Sequence, residues 1–108
     1  MPHHVKIIDP ARNVVATADV DDLGTHFSGT VELADMPGAL RKTFEEYETI
    51  VNDQTFGLLD EIEARIAAEY LSVVFNDGTR ALAGDIQIFP STGNISFKPL
   101  RTASPAVQ

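Results

Sequence analysis

The period at which apolar residues recur changes twice along this chain, and that double change constrains the fold more than any other feature. Up to about Leu33 the chain reads as strands. Val5 to Ile8 is a short apolar run, Asp9-Pro10-Ala11-Arg12-Asn13 is a cluster of turn formers, and Val14 to Val20 is rich in Val, Ala and Thr. Such a sequence predicts a hairpin. After Asp21-Asp22-Leu23-Gly24, Phe27, Gly29, Val31 and Leu33 alternate with His26, Ser28, Thr30 and Glu32. Strict alternation places the first set inward on a half-buried strand.

From Asp35 the period becomes helical. Leu40, Phe44, Tyr47 and Val51 follow one another at spacings of 4, 3 and 4, which at 100° per residue forms one narrow stripe. Ala39, Thr43 and Ile50 widen it on one flank, and Arg41, Glu45, Glu48 and Asn52 form a polar row on the other. Asp35 is the expected N-cap, with Pro37 in the first turn, where its missing donor costs little. Asn52-Asp53-Gln54-Thr55 should end this helix and Thr55 should cap a second, with Leu59, Ile62, Ile66 and Tyr70 on its apolar side. Residues 60–70 also alternate in the manner of a strand; helix is favoured because Ala, Glu and Arg are strong helix formers.

The last block returns to strands. Leu71 to Phe75 and Arg80 to Phe89 flank Asn76-Asp77-Gly78-Thr79, whose Asp-Gly pair suits a tight hairpin turn. Pro90 to Asn94 turns the chain into Ile95 to Lys98, and Gly84 within a strand suggests a bulge or a close backbone approach. Residues 100–108 lack periodicity and read as a flexible tail after a single domain over 1–99. Strands at both ends and helices between them predict an α+β fold: a mostly antiparallel sheet, in the order βββ-αα-βββ, with a two-helix hairpin packed on one face.

Composition narrows the chemistry. The 108 residues contain no cysteine, which removes disulfides, thiolate metal sites and a cysteine nucleophile together. No apolar run approaches the ~20 residues of a membrane span, and no secretory leader is evident; a soluble, cytoplasmic protein is the expectation. The net charge of −8 opposes nucleic-acid binding, which rests on a basic footprint.

Motifs are scarce. Asp19 to Gly24 imitates the start of a calcium loop, but Leu23 and Thr30 occupy positions that require ligands, so an acidic turn is expected instead. His3 and His4, as strand neighbours, point to opposite sides, and His26 falls on an outward strand position. Neither a serine elbow nor a phosphate-cradling glycine loop is present. No catalytic residue, cofactor-binding residue or metal ligand is assigned.

Carboxylates are the abundant resource. Residues 35–69 hold nine acids and three bases, a net −6. In the second helix Asp60 and Glu61 lie early and Glu61 precedes Arg65 by four, the placement that stability favours; the first helix has Arg41 and Lys42 early and its acids late, against the helix dipole. Glu63 falls between Phe56 and Tyr70 on the helical wheel, at the edge of the apolar face, which predicts partial desolvation and a partner. Phe44, Tyr47 and Phe56 are expected to face the core. Two functional readings follow. The first is a small non-catalytic interaction module that uses the acidic helical surface to bind a protein partner or a second copy of itself. The second is a small-molecule binder or minor enzyme with a site between sheet and helices. Tyr47, Glu48, Asn52, Glu63 and Tyr70 are the candidate interaction or pocket residues.

Overall fold

A computed structural model describes residues 3–100. Six strands, β1 (His3–Ile8), β2 (Val14–Asp22), β3 (Phe27–Glu32), β4 (Ser72–Val74), β5 (Arg80–Phe89) and β6 (Asn94–Leu100), close into an antiparallel barrel in the order β1-β2-β3-β6-β5-β4. Two helices, α1 (Gly38–Asn52) and α2 (Leu59–Ala67), lie between β3 and β4 in sequence, with a three-residue 3₁₀ turn, Phe56–Leu58, between them.

Closure overturns the expected open sheet with a helical hairpin packed on one face. The number, order and antiparallel sense of the strands follow the sequence pattern, but the two strand blocks are joined twice. β3 pairs with β6, and β1, already paired with β2, also pairs with β4 through Lys6↔Val74, Ile7↔Val73 and Ile8↔Ser72. Alternation tells which way a side chain faces and carries no information about which distant strand completes the ladder. Closure satisfies sheet edges that an open sheet would leave bare.

The inward set fits a narrow interior. Val5, Ile7, Ala16, Ala18, Val20, Val73, Ile88, Ile95 and Phe97 are all buried and form one core with the apolar sides of the helices. Small residues make room for large ones across the barrel. Gly29 marks the tightest approach: a Cβ there would stand 1.9 Å from the carbonyl oxygen of Asp19 and 2.7 Å from Val20 Cα. At one end of the barrel Phe27 stacks on Phe97 at 5.5 Å, and His3 and Phe75 meet the edge of Phe27.

The helices pack on each other and, among the strands, chiefly on β5. The buried face of α1 is Leu40, Phe44, Tyr47 and Ile50; Val51, expected in the stripe, is only half-buried. Being covered from two sides, by β5 and by α2, turns the buried face by one residue. Pro37 is the N-cap and no side chain caps the helix, so the expected Asp35 cap does not form. Thr55 precedes the 3₁₀ turn and not α2; its hydroxyl donates back to the Ile50 carbonyl at 3.4 Å. Residues 59–67 are helical, which settles most of the ambiguous stretch in favour of the helix. Leu100, where the flexible tail was expected to begin, is the last residue of β6; 101–108 lie outside the described residues.

Among the described residues no helix is long and apolar enough to cross a membrane. No group of three or more His, Asp or Glu is placed to hold a metal ion there. In the loop resembling a calcium site, Asp22 accepts the Gly24 N–H at 2.8 Å and Asp19 accepts from or pairs with His4 Nδ1 at 2.9 Å. Asp22 thus holds the turn, while Asp19 ties β2 to β1.

Candidate functional site

β5 carries one irregularity, and the site is built beside it. Gly84 pairs with Lys98 and Gln87 with Ser96, so Asp85 and Ile86 together oppose Phe97 alone. This is a bulge. It switches the inward positions of the strand from Ala81 and Ala83 to Ile86 and Ile88, and it holds Asp85 at φ 49°, a left-handed conformation that aspartate tolerates better than most side chains. Gly84 leaves room for the Leu100 side chain, whose Cγ would lie 2.6 Å from a Cβ at that position and would have to shift to admit one.

Between this part of β5 and β6 on one side and α2 on the other runs an open cleft of about 820 Å3. Ala64 and Ala67 line it from the helix, Leu82 and Leu100 from the strands. The two alanines leave space where larger side chains would have closed helix onto sheet. Tyr70 and Leu100 stand at the cleft 66% and 52% exposed, which is unusual for large apolar groups so close together.

Polar groups surround this apolar lining. Asp60 and Glu63 come from α2, Asp85 from the bulge, Gln87, Ser96 and Lys98 from the strands, and His26 from just before β3. Lys98 Nζ is 3.7 Å from Asp85 Oδ2, with both side chains more than half exposed; such a pair adds little to stability and is easily exchanged for another. Three carboxylates against one lysine leave the cleft acidic. No hydrogen-bonded nucleophile–base pair is present in it among the described residues; His26 Nδ1 is engaged by the neighbouring Thr25 hydroxyl at 2.9 Å.

The five candidate residues divide. Glu63 and Tyr70 both line the cleft. Tyr47 lies behind it, 4% exposed, with its ring 5.9 Å from that of Phe89. Burial, reinforced by the charges of Glu63 and Asp85, raises its phenol above the ordinary value of 10.0. Glu48 faces elsewhere and accepts hydrogen bonds from the Ser91 backbone N–H and hydroxyl, tying α1 to the turn between β5 and β6. Asn52, the last residue of α1, is exposed and joins neither group.

Three expectations are corrected here. Phe56 does not face the core but is 58% exposed, because it sits in the 3₁₀ turn and not in the helical phase of α2. Tyr70 lies past the end of α2 at φ 50° and leaves the wheel altogether. Glu63 had been placed between these two; with both flanks in solvent it too is exposed, at the lip of the cleft and with no ion-pair partner among the described residues. Asp60 lines the cleft with it. Asp85 and Lys98 were missed because an outward strand position carries no periodic signal of its own. The Gly84 anomaly was the available clue.

No protein-family model matches the chain, and no curated protein or solved structure matches it either. The functional reading therefore rests on the geometry of this cleft and on its charge.

Proposed function

We propose that the protein is a non-catalytic interaction module whose cleft between α2 and the β5–β6 face takes a segment of a protein partner bearing both apolar and cationic side chains. The observation that supports this most is the lining itself: apolar walls, two large exposed apolar side chains, and three carboxylates at the margin. An apolar trough favours burial of hydrophobic side chains, and an acidic margin selects cationic neighbours and repels anionic ones. The partner fits this description better than a second copy of the chain, because two chains of net charge −8 repel one another. The open side also favours a chain segment over a small molecule, since small-molecule sites usually enclose most of their ligand.

A short labelled peptide of alternating leucine and lysine, followed by fluorescence anisotropy at moderate salt, tests the reading. Binding is expected, and the leucine–glutamate counterpart should not bind. Asp60→Asn with Glu63→Gln should weaken binding by about tenfold, the equivalent of ~1.4 kcal/mol, whereas Glu45→Gln with Asp53→Asn, which removes the same charge outside the cleft, should weaken it far less. Equal losses from the two pairs would mean that net charge alone attracts the peptide, and the reading would fail.

A further inference from the structure

We infer that the turn between the two helices, Phe56–Leu58, is a second docking element, an apolar anchor for a protein partner whose apolar pocket is rimmed by lysine or arginine. Phe56 and Leu58 are 58% and 53% exposed and only two residues apart. Neither lines the cleft. Among the described residues the other exposed large apolar groups outside the cleft, Val14 and Leu23, lie nine residues apart and not as a neighbouring pair. Scattered single exposures need no explanation, but a paired one does.

The surroundings of the pair indicate what covers it. The chain from 43 to 64 contains no lysine or arginine, and Asp53, Asp60 and Glu61 are the carboxylates that flank the pair most closely in sequence. Among the described residues none of these three is paired to a cation; the ion pairs of the helices are Arg41–Glu45 and Arg65–Glu46. An apolar pair within so acidic a stretch is not suited to membrane association, because anionic lipid surfaces would repel it. Nor does it suit a second copy, which would bring two such stretches together. A basic-rimmed pocket meets both requirements, burying the two side chains while neutralising their flanks.

The turn is also held in advance of binding. Thr55 N–H donates to the Ile50 carbonyl at 3.1 Å, Gln54 N–H to Val51 at 3.2 Å and Leu58 N–H to Thr55 at 2.9 Å. Gln54 occupies a left-handed conformation at φ 58°, the sharp bend that projects the turn. An anchor fixed in this way loses little conformational entropy on docking. Together with the cleft, it would let one small domain hold two partners, or two parts of one.

The test places a photo-crosslinking amino acid, p-benzoylphenylalanine, at position 56 of the full chain, and in a separate protein at position 23 as a control of similar exposure. Each is irradiated in an extract of the source cells. A discrete adduct is expected from position 56 and not from position 23. It should fall by about tenfold with Leu58→Ser, as for an interface anchor, and fall again at high salt. Its mapped attachment site should be an apolar pocket bordered by Lys or Arg. Circular dichroism of Leu58→Ser should match the parent chain, showing that the loss is not unfolding. An adduct that survives Leu58→Ser and salt, an adduct with another copy of this chain, an attachment site without basic residues, or no adduct in excess of position 23 would each overturn the proposal. Failure here leaves the peptide-binding reading of the cleft standing, since that experiment uses different residues.

Discussion

The barrel and the helical segment inserted into it obey different rules. Along most of the strands the inward side chains are buried, with Phe27, Val31 and Ala83 half-buried, and the fully buried ones are small or branched apart from one large aromatic, Phe97. The segment from α1 to α2 buries one stripe per helix and leaves Phe56 and Leu58 in solvent, flanked in the chain by Asp53, Asp60 and Glu61. The difference teaches where each part of the chain is constrained. Strand positions answer to a closed, filled interior, where one methylene matters. The helical segment is free to carry groups that contribute nothing to folding and are therefore available for binding. The cleft lies along the seam between the two, where the β5 bulge meets α2.

The contrast can be broken most directly at Gly29. Gly29→Ala forces a Cβ into the Asp19 carbonyl, and a loss of more than about 4 kcal/mol is expected, a large part of the 5–15 kcal/mol typical of a domain; urea denaturation measures it. Next is Ile88→Ala in the fully buried interior, which should cost about 3 kcal/mol through lost burial and a residual cavity, read as a lowered urea midpoint with unchanged slope. Glu48→Gln weakens the tie between α1 and Ser91 and should cost about 1 kcal/mol, with the Ser91 amide resonance moving in an NMR spectrum. Leu58→Ser removes more apolar surface than Glu48→Gln does, yet it should change stability by no more than about 0.5 kcal/mol, since the side chain is exposed. A loss as large as that of Ile88→Ala would mean that the turn belongs to the core.

The smallest effect is a pH dependence on the barrel side. Hydrogen bonds from Thr79, by its side chain and then its backbone N–H, hold the Asp77 carboxyl below its ordinary 3.8. A depressed folded-state value stabilises the fold above pH 3.8, and that contribution is lost as pH falls through the lower, folded-state value. Asp77→Asn should therefore lower Tm slightly at neutral pH, flatten its decline over this acid range and leave the most acidic end little changed. An unaltered acid limb would show that this turn is not coupled to folding.

The sequence was most legible where a local period has a local cause. The hairpin turn at Asp77-Gly78, the inward set Phe27 to Leu33, the helical nature of 59–67 and the Gly84 bulge all express backbone preferences read within a few residues. Closure was not legible, because the pairing of Ile7 with Val73 depends on strands separated by most of the chain. The site was half legible for a related reason. Glu63 and Tyr70 were identified on an idealised wheel extended past both ends of α2, and they reached the cleft for reasons other than those that selected them. Glu48 and Asn52 shared a helical row with each other but not with any surface of the cleft. Asp85 and Lys98 came from strands that period-two reasoning treats as plain outward positions.

On the proposed reading, binding belongs to the seam beside α2 and not to the barrel's other faces. Titration of the isotope-labelled protein with the leucine–lysine peptide, followed by amide NMR, tests this directly. Resonances of Ala64, Ala67, Gly84, Asp85 and Ser96 should move in concert and saturate, while Lys6, Thr17 and Thr30, on the outer face of β1, β2 and β3, stay fixed. Perturbation centred on that outer face, or spread evenly over the acidic surface without saturation, would contradict it.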